Sequence, residues 1–435
     1  MSSEEKKPQL RIAIIGAGYA GLAAAVTIAQ NNIPVTVFEA AEVLGGRARR
    51  VERRGVVLDN GLHILLGAYR ETLRLISLVA GAETPKLVRL PFRWEIAQHF
   101  RAKASPFPAP LDLLFGLLLA RGTTLPEKIA AIRFVQKMPS VTENCSVLEL
   151  LERGRQGENL VRFLWRPLCV AALNTPVEKA SAQVFLNVVR AVLEAKSSDL
   201  IFAGEDLSRL FPDRAASYIK LRGGAVHIKH RITGLRKSQE GFELESPRGI
   251  DRFSHVVCAL SPNAVAALIA GIPELGEIRQ QIERFEYQPI HSIYLQYCAA
   301  TRLDFPMLGL AGGPAHWVFD RGALCGQHGL LGAVISSEGV HKALSHDELA
   351  LRVHSQLKTI LKNLPTPQWS NVIAEKRATI ACVAKLTRPP QVTPLDDFFL
   401  AGDYTASQFP ATIESAVQSG VKCARLILAQ LTQPA

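Results

Sequence analysis

Four apolar residues, Ile12-Ala13-Ile14-Ile15, lead into a glycine-rich hexad, Gly16-Ala17-Gly18-Tyr19-Ala20-Gly21. An alanine-rich stretch, Leu22 to Gln30, follows, and a second apolar run, Val35-Thr36-Val37-Phe38, ends at Glu39. The pattern predicts strand, tight turn, helix and strand in that order. Apolar residues at Tyr69, Leu73, Ile76 and Val79 predict a helix over 69–80, and Leu87 to Phe100 reads as strand. Leu111 to Ala120 is the most apolar window of the chain; too short to span a bilayer, it reads as a core helix, as the lining of an apolar tunnel or as a segment that dips into one leaflet. Leu125 to Met138 continues as an amphipathic helix carrying Lys128, Arg133 and Lys137. Ser146 to Val170 reads as one helix, with Ser146 as N-cap and Glu149 in the capping-box position. Another helix spans Ala180 to Leu193, so the region from about Arg70 to Phe211 is mainly helical.

The alternation then returns. Tyr218 to Gly224 reads as the re-entry of the first unit, followed by a helix and by Arg231 to Arg236. A strand pair, Phe242–Glu245 and Asp251–Phe253, leads to His255–Leu260. Strand candidates Ser292–Tyr297 and His316–Phe319 and a helix over Leu349–Leu361 follow. Last come a buried strand, Phe398 to Tyr404, and a helix from near Pro410 to about Ala429. That helix has Ile413, Ala416, Val417, Gly420, Val421, Ala424 and Leu428 on one face.

The first unit is a dinucleotide fingerprint. Gly16 permits the tight turn, Gly18 lets backbone approach a pyrophosphate, and Gly21 allows the helix to pack on its strand. The helix N-terminus offers N–H groups and a partial positive charge to phosphates. Glu39 stands where a carboxylate accepts hydrogen bonds from ribose hydroxyls and repels a ribose phosphate, which disfavours NADP. Leu44-Gly45-Gly46-Arg47-Ala48 follows closely, with two glycines for backbone approach and a cation for a pyrophosphate.

The 435 residues are 48% hydrophobic, enough for a large core and for two domains. A formal charge of +11 favours anionic partners. No nucleic-acid motif accompanies it, so a membrane surface is the better match and nucleic acid is not expected. Seven scattered cysteines without a Cys-x-x-Cys pair suit reduced thiols in a cytoplasm and argue against a metal site. Met1 to Gln9 is polar and lacks the apolar core of a signal peptide, and no apolar run is long enough to span a bilayer.

The Gly-Gly-Arg after the acid resembles the flavin amine oxidase and carotenoid desaturase superfamily, as does Gly402-Asp403 before the last helix. The resemblance implies FAD and an α/β fold. A Rossmann-like FAD-binding domain of the glutathione-reductase-like, amine oxidase type would be built from 1–70, 215–262 and 391–435. An inserted α+β substrate domain would occupy 71–214 and 263–390. It places Gly16, Ala17, Gly18, Tyr19, Ala20, Gly21, Glu39, Ala40, Gly45, Gly46 and Arg47 at the nucleotide. Gly61, Leu62 and His63 would pass beside the flavin ring, Ile232 would face the adenine, and Gly402 and Asp403 would close the phosphate side. Ala411, Thr412 and Ile413 would bring the last helix N-terminus to the flavin pyrimidine edge.

Three further segments are more specific: Asp59 to His63 with Gly67 to Arg70, Trp165 to Pro176, and His316 to Asp320. Together they resemble the bacterial squalene-associated FAD-dependent desaturases, a family of hydroxysqualene dehydroxylases. That resemblance implies reductive removal of an allylic hydroxyl, with hydroxysqualene or a similar C30 isoprenoid as substrate. It leaves the electron donor unassigned and implies neighbouring squalene-pathway enzymes and the inner face of the cytoplasmic membrane as surroundings. His63 is the candidate general acid, with Asn174 and Glu414 as further polar candidates. A carotenoid-type desaturase running oxidatively, a flavin amine oxidase, a lipid-binding scaffold and a redox-neutral isomerase remain as alternatives.

Overall fold

The computed structural model describes residues 10–138, 145–195 and 199–432; the polar segment 1–9 lies outside them. A five-stranded sheet, parallel throughout, gathers short strands from across the chain. Its order is Ala225–His227, Val35–Phe38, Ile12–Ile15, His255–Cys258 and Phe398–Leu400. Ile12–Ile15 is central and wholly buried, as a strand covered on both faces must be. Tyr19–Ala29 lies on it with every residue buried. Its alanines let the last helix, Ile413–Thr432, come very close: a Cβ at Gly420 would overlap the carbonyl of Ala20. An antiparallel trio, Gly234–Ser238, Gly241–Ser246 and Gly249–Phe253, branches off before His255.

A second, seven-stranded sheet runs Trp369–Ile380, Tyr287–Gln296, Leu330–Ser336, Trp317–Asp320, Met307–Gly309, Arg93–Ile96 and Phe100–Lys103. Helices from the 111–193 stretch pack against its far end. Their shared core includes Trp94, Phe163, Trp165, Phe185 and Trp317.

Three sequence expectations change. Tyr218–Leu221 is the end of a helix, Pro212–Leu221, and the expected helix after Gly224 is instead the edge strand Ala225–His227. The single helix over Ser146–Val170 is broken. Val147–Arg153 ends at Gly154, and the chain turns helical again at Glu158. It then passes through a π turn at Val161–Trp165 into Arg166–Leu173. The expected capping box is present, with Ser146 N donating to Glu149 Oε2 (3.0 Å) and Glu149 N to Ser146 Oγ (3.2 Å). The helix expected over Leu349–Leu361 begins earlier, at His346, where Ser345 and Glu348 form a second capping box.

Candidate active site: a dinucleotide cradle beside an apolar cavity

The cradle forms at the carboxyl ends of the parallel strands, where ligands of such sheets bind. Gly16 adopts φ +104°, and a Cβ there would meet the Ala259 carbonyl oxygen at 2.7 Å. A Cβ at Gly21 would overlap the Gly16 carbonyl. These two glycines are therefore required by the protein's own backbone. Gly18 differs: its Cβ would meet only the Gly46 Cα, at 3.8 Å. Gly18 also caps the first helix, with no side-chain cap and no acidic residue in the first turn. Backbone donors at a helix start, left to a ligand and fronted by a glycine no protein atom demands, suit a pyrophosphate.

The other expected residues are brought to this place. Gly45 N donates to the Ala17 carbonyl (2.9 Å), and Gly18 and Gly45 form a bridge, so the two glycine loops are one surface. Glu39 accepts from Ala17 N and Ala41 N, each at 2.8 Å, which fixes its carboxylate at the strand end beside the exposed Ala40. His230 N donates to the Glu39 carbonyl, which carries Ile232 alongside. Asn60 Nδ2 donates to the Arg47 carbonyl (2.9 Å), tying on the Gly61-Leu62-His63 turn.

Arg47 ends between Asp403 Oδ1 and the Ala378 carbonyl, 2.6 Å from each. The cation expected for a pyrophosphate thus also locks the first glycine loops to the Gly402-Asp403 turn. Gly402 N donates to Ser419 Oγ (3.0 Å). Thr412 and Ser415 cap the last helix, with Ser415 N donating to Thr412 Oγ1, so Ala411, Thr412 and Ile413 stand at its N-terminus.

His63, the expected general acid, sits on the turn tied to Arg47. Burial first, and the Arg47 charge second, lower its pKa to about 4. A general acid must carry its proton at working pH. The lowered pKa favours the neutral imidazole at neutral pH, a form in which His63 can hydrogen-bond. Asn174 and Glu414 are structural. Asn174 Oδ1 accepts from Ser337 N (2.7 Å) and its amide donates to Thr379 Oγ1 (3.0 Å). Glu414 accepts from the N–H groups of Glu71 and Thr72, 3.1 and 2.9 Å away, and so caps the helix Arg70–Ala80.

Against the cradle lies an apolar cavity of about 310 Å³. Ile64, Leu66, Trp94, Leu164, Trp165, Leu168, Val188, Met307, Pro410 and Thr412 line it. Leu113, Gly116 and Leu117 of the helix Leu111–Leu118 also line it. Tyr69, its pKa pushed up to about 12 chiefly by burial, also lines it within hydrogen-bonding reach of Thr412. Sequence reasoning missed Tyr69 as a site residue. It also missed Arg321, which pairs with buried Asp59 (2.9 Å) and so holds the strand leading to Gly61. No local signal marks a partner 262 residues away. Among the described residues no group of three His, Cys, Asp or Glu side chains is placed to hold a metal ion.

A parallel-sheet dinucleotide cradle with an apolar cavity at the start of the last helix fits a flavin-type oxidoreductase. Comparison with known proteins agrees: the profile of the flavin-containing amine oxidoreductases matches residues 19–428. The chain belongs to that family and is an FAD-dependent oxidoreductase. Hydroxysqualene dehydroxylases of Zymomonas mobilis and Rhodopseudomonas palustris are each 29% identical to it, over 95% and 96% of this chain and 98% of theirs. The zeta-carotene desaturase of Arabidopsis thaliana is 24% identical over 95% of this chain and 84% of its own. A solved oxidoreductase from Methanosarcina mazei shares the fold, with a TM-score of 0.74 at 15% identity over 96% of this chain and all of that one.

Proposed function

We propose that the protein removes the hydroxyl of hydroxysqualene reductively: the alcohol and reduced FAD give squalene, water and oxidised FAD. The observation that carries this reading is the apolar cavity whose lining includes Pro410 and Thr412, at the start of the last helix. The names of the relatives with the higher identity support it over the desaturase alternative. Bound FAD would be held by the Gly16–Gly21 loop, Glu39, Gly45-Gly46 and the Arg47–Asp403 pair, and in reduced form it supplies a hydride.

The protein's own groups do the rest. Apolar walls hold an isoprenoid chain and exclude the water that would recapture an allylic cation. The N-terminus of Ile413–Thr432 favours negative charge beside it. Neutral hydroxyls of Tyr69 and Thr412 stand on the cavity wall, where they can hydrogen-bond the departing oxygen. An alcohol of this length is nearly absent from water, so we place the protein in the cytoplasm, peripheral on the membrane and beside the enzyme that makes its substrate. Anaerobic incubation of the reduced protein with hydroxysqualene tests the reaction. Squalene is the expected product, and unchanged alcohol or a more unsaturated hydrocarbon would refute it.

A further inference from the structure

The helix Leu111–Leu118 has two apolar faces. Leu113, Gly116 and Leu117 line the cavity, while Leu111, Phe115 and Leu118 project from the opposite side into solvent. Phe107, Leu119 and Leu125 extend that outer stripe, and Leu119 is 73% and Leu125 59% exposed. Phe107 and Phe115 pack together with ring centroids 4.7 Å apart and planes tilted by 35°. The helix is firmly seated, because a Cβ at Gly116 would overlap the carbonyl of Lys103 on the strand beneath. The outer face is thus a built surface, and contiguous apolar patches of this kind mark interaction sites.

Charge says what the surface meets. Residues 101–137 contain six basic side chains (Arg101, Lys103, Arg121, Lys128, Arg133 and Lys137) and two acidic ones. Asp112 is buried, and Glu127 is engaged by the N–H groups of Thr124 and Asn159. The exposed charge around the stripe is therefore positive. Apolar residues on one helical face with a basic rim match the boundary between anionic headgroups and acyl chains.

We propose that this face docks the protein on an anionic lipid bilayer, and that apolar substrate passes from the leaflet along the Leu111–Leu118 helix into the cavity. The second step rests on the functional reading above; the docking does not. No helix among the described residues is long and apolar enough to cross a membrane, so the attachment is to one leaflet.

Flotation of the full-length flavoprotein with phosphatidylcholine vesicles, with and without phosphatidylglycerol, tests the docking. Wild type should float with the anionic vesicles and be released by raised salt. Phe115→Glu with Leu119→Glu should weaken binding at least about tenfold at unchanged melting temperature and flavin content. Leu119→Glu alone, at the most exposed position, should give a smaller loss. Arg133→Glu with Lys137→Glu should weaken binding several-fold and flatten its salt dependence. Wild type that ignores both vesicle types overturns the docking, as does undiminished binding by the double glutamate variant. So does a collapsed melt of the Leu119→Glu protein, which would make the face core. A wild-type dimer split by these substitutions with vesicle binding intact would assign the face to a second copy. Turnover of vesicle-borne substrate should fall in the double variant while detergent-dispersed substrate is turned over as before; equal rates from vesicles would refute the entry route. Flotation without squalene formation would retire the functional reading alone.

Discussion

The glycine loops and the apolar cavity are both shaped by what side chains leave out, in opposite ways. In the loops Cβ atoms are missing: at Gly16, Gly21 and Gly45 backbone closes to distances no other residue permits, while at Gly18 the space of the absent side chain stays open. Around the cavity large side chains, among them Trp94, Leu117, Leu164, Trp165 and Met307, stand beside small residues such as Gly116, Ala171 and Ala172, and their packing stops short of contact. Residue type at fixed spacing specifies the first, within a few dozen positions. Volume distributed over many elements specifies the second. A cofactor of constant shape suits the former, and a flexible hydrocarbon suits the latter.

The buried ion pair behind the strand that leads to Gly61 should give the largest effect. Asp59 and Arg321 are both almost fully buried. Arg321→Ala leaves a buried carboxylate without its counter-charge, which should cost about 3–5 kcal/mol in urea unfolding. A loss under 1 kcal/mol would mean that the pair does not hold that strand.

Next comes the loop itself. Gly18→Val should lower FAD affinity by about 100-fold or more, read from flavin retained after gel filtration, because its side chain enters the space assigned to pyrophosphate. The flavin-free protein should melt near wild type, since only the Gly46 Cα lies within 4 Å of the new Cβ. Gly21→Ala reverses the balance and should destabilise the flavin-free protein. If both variants behave alike, the distinction between ligand-required and backbone-required glycines fails.

His63 supplies a pH test of the cradle's interior. Its folded pKa, about 4, lies below the ordinary 6.5. The unfolded chain therefore takes up the proton first, and acidification costs the fold. The penalty is absent above pH 6.5, grows as pH falls and is complete near 4. Relative to His63→Gln, wild type should lose about 3 kcal/mol between pH 7 and 4. His291 and His316 are also held near 4 and cancel in that difference. A parallel pair of stability curves would show His63 to be solvated.

Much of the cradle was legible because its determinants are local. The Gly16–Gly21 spacing, Glu39, Gly45-Gly46-Arg47 and Gly402-Asp403 each need only their neighbours in the chain. What joins them is not local: Arg47 meets Asp403 across 356 positions. The edge strand Ala225–His227 was read as helix because three residues show no period. The helix after Ser146 was read through Gly154 because apolar spacing resumes beyond the break. Leu111–Ala120 was ambiguous for another reason. When nearly every position is apolar, no pattern tells the cavity face from the solvent face.

The cavity gives the smallest effect of the set. Val188→Trp should fill part of it and lower kcat/KM for the C30 alcohol by about tenfold, with flavin content unchanged. Lost flavin in this variant would show that the two regions are not separable.

An anaerobic single turnover tests the central claim most directly. Reduced enzyme is mixed with hydroxysqualene, and flavin absorbance and squalene are followed in the same sample. The account predicts that oxidised flavin appears in step with squalene, one for one. Flavin that stays reduced in the presence of the alcohol, or oxidised enzyme that is instead reduced by squalene, would contradict it.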